Sequence, residues 1–240
     1  MSEQTPTGPV LACFAHPDDA EICAGGTLAK WASAGREVHL LVLTNGDRGS
    51  DDPARDRAEL ARTRAVETES GARVLGLASA RVFGDVHDGE LENTAAIRDR
   101  VVRVIREVRP QTLVANDPTA WIFDGEGYVN HTDHRTAGAI ALDSVFPGAG
   151  NPHFFARHLA EGLSAWSVRD VWLGWTLQPN RFEDITPTMP TKLSALAEHK
   201  SQVEDDLLGH FREWLPKEAA EAGARIGVEH AEAFRCISLD

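Results

Sequence analysis

An apolar run at residues 10–15 (VLACFA) gives way at Asp18 to helical spacing, with Ile22, Leu28 and Trp31 available for one face and Gly35 as a stop. The pattern predicts a buried strand followed by a helix over residues 18–33. The unit repeats. Residues 37–43 (EVHLLVL) read as a strand that ends on the turn signal Asn45-Gly46, and a charged helix is predicted over residues 53–71. A short strand at 80–83 precedes a helix that Thr94 can cap and that Arg109-Pro110 closes after Val108, and a further strand follows at 112–115. Beyond it the pattern predicts a helix at 131–145, strands at 168–177 and 181–185, and one long helix at 190–208. Such alternation implies an α/β fold with a mostly parallel sheet and helices on both faces. Residues 117–130 (DPTAWIFDGEGYVN) mix turn formers with aromatics and read as a functional loop, whereas 146–161 carry no readable pattern. In a doubly wound sheet the site falls beyond the C-terminal ends of the strands.

Composition narrows the classes. The 240 residues are 42% hydrophobic and 25% charged, enough apolar mass for a real core, and one domain spanning 1–240 is expected. Lys and Arg number 24 against 37 Asp and Glu, a net charge of −13 that repels phosphate backbones and anionic lipid, so neither nucleic acid nor a membrane is expected as partner. The first ten residues lack a basic segment, and the apolar run behind them is too short for a signal peptide or a membrane span. Three cysteines without CxxC spacing argue against a disulfide framework or a zinc knuckle and point to the cytoplasm. Association of identical chains is left open.

Two clusters carry candidate chemistry. In His16-Pro17-Asp18-Asp19, at a strand end before a helix, a His and an Asp three apart can reach one cation while Asp18 projects elsewhere. The competing reading is helix capping by Asp18 or Asp19. In His131-Thr132-Asp133-His134, two histidines at i and i+3 let one bind metal while the other faces substrate; the competing reading is a pair of surface histidines. Together the clusters supply His, Asp and His, a ligand set that leaves a position open for water and substrate. Cys13 and Cys23 are read as packing residues, and Gly25-Gly26, lacking GxGxxG order or a P-loop Lys, as close helix packing. His39 is read as a core residue, and His87, His153, His158, His199, His210 and His230 as structural or solvated.

Ala15-His16-Pro17-Asp18-Asp19-Ala20-Glu21 with Gly25-Gly26, joined to His131-Thr132-Asp133-His134, resembles the PIG-L (LmbE-like) N-acetylglucosaminyl deacetylases. The likeness extends to Thr44-Asn45-Gly46-Asp47, to Arg64 and Glu67 ahead of Leu75-Gly76, to Asp88-Gly89 and to His199-Lys200-Ser201-Gln202. It implies a Rossmann-like fold and a zinc-dependent hydrolase, with ferrous iron as the alternative metal, that removes an acyl group from the nitrogen of an amino sugar or related amide. By that resemblance His16, Asp19 and His134 match metal ligands, Asp18 the general base and His131 the oxyanion-stabilising histidine, with Asp133 orienting His131. Arg64, Asp47 and Asp88 match positions that hold the sugar in some relatives, and Tyr128 stands three residues before His131 where some members place a Tyr two before. Trp121, Asp124, Glu126, Tyr128 and Asn130 of the loop suit a neutral, hydroxyl-rich small molecule. The rivals are a non-haem iron oxygenase, disfavoured by HxxD spacing on an alternating chain; a metallo-β-lactamase-like hydrolase, which needs a His where Val129 stands; and a metal-bound binding protein without turnover.

Overall fold

The computed structural model describes residues 7–125, 127–203 and 205–239. β1 (Val10–Phe14) is apolar throughout because both of its faces are covered: Leu11 and Cys13 enter one core, and Val10, Ala12 and Phe14 enter the other. The remaining strands are β2 (Val38–Val42), β3 (Ser79–Val82), β4 (Thr112–Asn116), β5 (Ile122–Phe123), β6 (Tyr128–Val129), β7 (Asp170–Gly174), β8 (Arg181–Asp184) and β9 (Ala231–Ser238). Seven of them form one sheet in the order β3-β2-β1-β4-β7-β9-β8, and β5 and β6 make a separate hairpin. The first five in that order run parallel, and β9 lies antiparallel to both β7 and β8. A mostly parallel Rossmann-like α/β sheet is therefore present, as the alternation implied.

Helices α1 (Asp19–Ser33), α2 (Arg57–Val74), α3 (Ala95–Val108), α4 (Thr132–Asp143), α5 (Arg157–Ala160), α6 (Met189–Leu196) and α7 (Asp205–Ala224) fill the connections. Val101, Ile105 and Ile140 of α3 and α4 pack on one face of the sheet, and Leu28 and Trp31 of α1 on the other. Helix α6 lies against α1 and α2. The glycine pair allows this closeness, since a Cβ on Gly25 would stand 3.2 Å from Cγ of Lys192 on α6 and one on Gly26 2.7 Å from Cβ of Ile185 just before that helix. The same junction holds a buried ion pair. Glu232 on β9 accepts from the N–H groups of Gly26 and Thr27 at 3.0 and 2.8 Å and from Nζ of Lys192 at 2.5 Å, and that ammonium also donates to Ile22 O at 2.9 Å.

The long helix expected at 190–208 is instead two helices, α6 and α7. The chain between them turns over α2, where Glu67 accepts from Ser201 N–H at 2.7 Å and Oγ–H at 2.6 Å, and Gln202 Nε2 donates to Gly49 O at 2.9 Å. Helix α2 starts at Arg57, later than expected, because Asp56 caps it through Glu59 N–H at 3.0 Å. Strand β9 has no counterpart among the expected elements. The unreadable stretch after α4 owes its order to a residue remote in sequence: the buried Arg106 guanidinium donates to Gly148 O, Ala149 O, Asn151 O, Phe154 O and Phe155 O. His39 is only half-buried and pairs with Ser79 Oγ at 2.8 Å, whereas His158 is fully buried beside Asp99 at 3.1 Å. Among the described residues no helix is long and apolar enough to cross a membrane.

Candidate active site

Parallel strands share one carboxyl edge, and there the two motifs meet: residues 16–19 lead from β1 into α1, and His131 is the N-cap of α4. Nδ1 of His16 lies 3.1 Å from Nε2 of His134, which lies 3.1 Å from Asp19 Oδ1. Asp19 Oδ2 is 3.6 Å from His16 Nδ1 and also accepts the His16 N–H at 2.9 Å. All three residues are buried.

The protons on these rings follow from their neighbours. Asn130 Oδ1 stands 2.9 Å from His134 Nδ1, and its orientation is set by Nδ2 donating to Ala120 O at 2.8 Å. His134 Nδ1 therefore carries the proton, and in the neutral ring Nε2 bears a lone pair. Nε2 of His16 faces two carboxylates, Asp88 at 3.3 Å and Asp133 at 3.4 Å, which favours its proton there and leaves a lone pair on Nδ1 of the neutral ring. Two imidazole lone pairs and a carboxylate thus converge, an arrangement that repels itself unless a metal ion or a proton lies among them. Among the described residues, His16, Asp19 and His134 form one group able to hold a metal ion, and His16, Asp88, His131 and Asp133 form a second that shares His16. The first fits a cation better, because Asp133 accepts the Gly89 N–H at 2.7 Å and Asp88 lies on the outer nitrogen of His16.

Charge is balanced accordingly. Burial opposes charge on His16, but Asp133, Asp19 and Asp88 outweigh it and raise its pKa well above the usual histidine value. Burial likewise opposes ionisation of Asp19, yet His134 and His16 hold its carboxyl well below the usual range. Asp18 differs: burial raises its pKa against the lowering pull of Arg64 and His199. Its φ of 100° and ψ of −24° lie where side chains are rarely tolerated, at a typical penalty of about 1–3 kcal/mol. Asp18 and Asp19, adjacent in sequence, consequently face different partners.

His131 accepts the Asp133 N–H on Nδ1 at 3.1 Å, so its proton resides on Nε2, and that side chain is partly exposed. Burial and the neighbouring His16 and His134 push its pKa below the usual value. The carboxylate of Asp133, expected to orient His131, is directed at His16 instead; only its backbone N–H reaches His131.

Of the residues expected to meet the sugar, Asp88 and Tyr128 stay partly exposed. Asp47 and Arg64 do not. The Asp47 carboxylate is occupied by Arg57, by His87 Nδ1 at 2.9 Å and by Asp88 N–H at 3.1 Å, and Arg64 is bonded to its own chain. Asn130 is buried as the partner of His134, Trp121 stacks under Arg135 at 4.0 Å, Asp124 is exposed, and Glu126 lies outside the described residues. Sequence reasoning missed Trp175, which follows β7 and packs on His134 at 5.1 Å and on Tyr128 at 5.9 Å. A tryptophan inside the strand predicted at 168–177, near its carboxyl end, was the available signal. Cys13 and Cys23 are buried and free, and burial pushes the Cys13 thiol up to about 12, in keeping with packing roles.

The parallel sheet with histidines and aspartates gathered at its carboxyl edge defines a Rossmann-like enzyme. Residues 11–145 match the PIG-L family, described as GlcNAc-PI de-N-acetylase. A diacetylchitobiose deacetylase of Thermococcus kodakarensis is 35% identical over 95% of this chain and 82% of its own length. A 1D-myo-inositol 2-acetamido-2-deoxy-alpha-D-glucopyranoside deacetylase of Catenulispora acidiphila is 31% identical over 72% of this chain and 60% of its own. The solved N,N'-diacetylchitobiose deacetylase of Pyrococcus horikoshii superposes with a TM-score of 0.87 at 34% identity, covering 96% of this chain and 84% of that one. The chain belongs to the PIG-L family and is, by class, a hydrolytic N-deacetylase.

Proposed function

We propose that the protein is a zinc-dependent deacetylase that removes the acetyl group from the nitrogen of an N-acetylated amino sugar or sugar conjugate. The observation that carries this reading is the convergence of His16 Nδ1, His134 Nε2 and the Asp19 carboxylate, with the Asp18 carboxylate turned to a different partner. Relatives named for deacetylating diacetylchitobiose and an acetamido-glucopyranoside support the substrate class.

His16, Asp19 and His134 would hold the cation, which when bound polarises an acyl carbonyl and lowers the pKa of a water toward about 7. Asp18 takes the proton of the attacking water. Its burial favours the protonated form it acquires. His131, with its proton on Nε2, donates to the oxygen on which negative charge develops. The leaving amine takes a proton from Asp18 or from His131. Asp88 and Tyr128 meet the sugar at the mouth, while Asp133 and Asn130 aim the two ligand histidines.

We further infer one catalytic unit over 1–240, working on a small neutral molecule in the cytoplasm, where free cysteines persist. The test is amine release from N-acetylglucosamine disaccharides and inositol conjugates after chelation and reloading with zinc or, anaerobically, ferrous iron. Zinc is expected to restore activity that chelation abolishes. Full turnover in metal-free protein, or phosphate release from aryl phosphates without amine release, would overturn the reading.

A further inference from the structure

Asp18 is held in its left-handed conformation by more than its own helix, whose Ile22 N–H donates to Asp18 O at 3.1 Å. Its carboxylate makes no capping bond to α1. Glu21, three residues on, occupies the position from which a capping box would return to the Asp18 N–H, but its side chain is fully buried beside His199, 3.4 Å from Nε2. A further restraint comes from α2. Nη2 of Arg64 donates to Pro17 O at 2.6 Å and to Asp18 Oδ2 at 3.2 Å, gripping the carbonyl before the strained residue and the carboxylate of the residue itself. Nη1 of the same guanidinium donates to Gly46 O at 3.0 Å, tying the turn to the loop after β2.

The guanidinium sits in a built slot. Arg64 is 3% exposed, and a Cβ on either Gly46 or Gly49 would fall 2.5 Å from its Nη1. Its flat fork spans two acceptors at once, which a lysine ammonium at the end of a flexible stem does poorly.

We propose that Arg64 is a positioning residue that fixes Asp18 at positive φ, holding its carboxylate apart from Asp19 and ready to take a proton. Without this clamp the residue is free to relax to negative φ, and the carboxylate leaves its place. The inference rests on the reading of Asp18 as the general base, and it gives Arg64 a role other than the sugar contact that the resemblance implies.

The test uses Arg64→Lys and Arg64→Ala in the zinc-loaded protein, the first keeping the charge if the second folds poorly. Three measurements are made: steady-state kinetics on an N-acetylated disaccharide, zinc content, and a crystal structure of whichever variant crystallises. The expected result is kcat lowered about 10- to 100-fold, as a displaced catalytic group implies, with KM changed less than about threefold and zinc retained. Added guanidinium ion is expected to recover part of the Arg64→Ala loss, and Asp18 to take a negative φ in the variant crystal. A raised KM with kcat kept would make Arg64 a substrate contact and overturn the proposal, as would an Asp18 that keeps its positive φ without the arginine. If the wild-type protein releases no amine, the functional reading fails, and the crystal structure alone decides the clamp.

Discussion

The Asp133 carboxylate lies 3.4 Å from Nε2 of His16, so the acid of one motif serves the histidine of the other. A carboxylate on the outer nitrogen of a ligand histidine fixes its tautomer and makes the inner nitrogen a better donor. Asp133→Asn is therefore expected to weaken zinc binding about 10- to 100-fold, the usual effect of removing such a partner. Competition against a chromophoric chelator measures it. Unchanged affinity would show that Asp133 serves only the Gly89 N–H.

Adjacent aspartates are expected to separate by function. His134→Ala and Asp19→Ala lose bound zinc, whereas Asp18→Asn keeps it and slows turnover by about 10² to 10⁴, the range for a lost general base. Metal analysis alongside kcat is decisive. Parallel loss of metal and rate in Asp18→Asn would make Asp18 a ligand.

His131 presents an Nε2 proton because Nδ1 is engaged by the Asp133 N–H. His131→Ala is expected to retain zinc and lose about 10² to 10³ in kcat, as when one oxyanion donor is removed. His131→Gln, which restores an N–H donor, should recover part of the loss. Equal losses in both variants would point to general-acid work by the imidazole.

Lys192 and Glu232, each with only 4% of the side chain exposed, join α6 to β9. Lys192→Met leaves a buried carboxylate without its cation and is expected to destabilise by about 3–5 kcal/mol, with Lys192→Met/Glu232→Gln recovering part of it. Urea unfolding midpoints at constant m-value test this. A single variant as stable as the wild type would show that the Gly26 and Thr27 N–H groups suffice for Glu232.

Elements whose signals lie within a few residues of one another were legible. The strand at β1 and the helix after it, the cap at Thr94 and the parallel character of the sheet follow from local periodicity and turn chemistry. The break between α6 and α7 was not, because Glu67 on α2 and Gly49 beyond β2 organise it. Nor was the order after α4, which hangs on the single guanidinium of Arg106.

The same division runs through the site. The amino-acid sequence by itself determined that two histidine–aspartate motifs sit at the entrances to helices in an acidic α/β chain, because each motif and its helix start occupy one short stretch. Only the tertiary structure decided which partner each side chain meets. Asp133 turned from its neighbour His131 to His16, Asn130 turned to His134, and Arg64 was closed into a slot against Asp18. The reason is that a hydrogen bond is chosen by distance in space, and β1, α2 and α4 come within reach of one another only when the parallel sheet brings their ends to one edge.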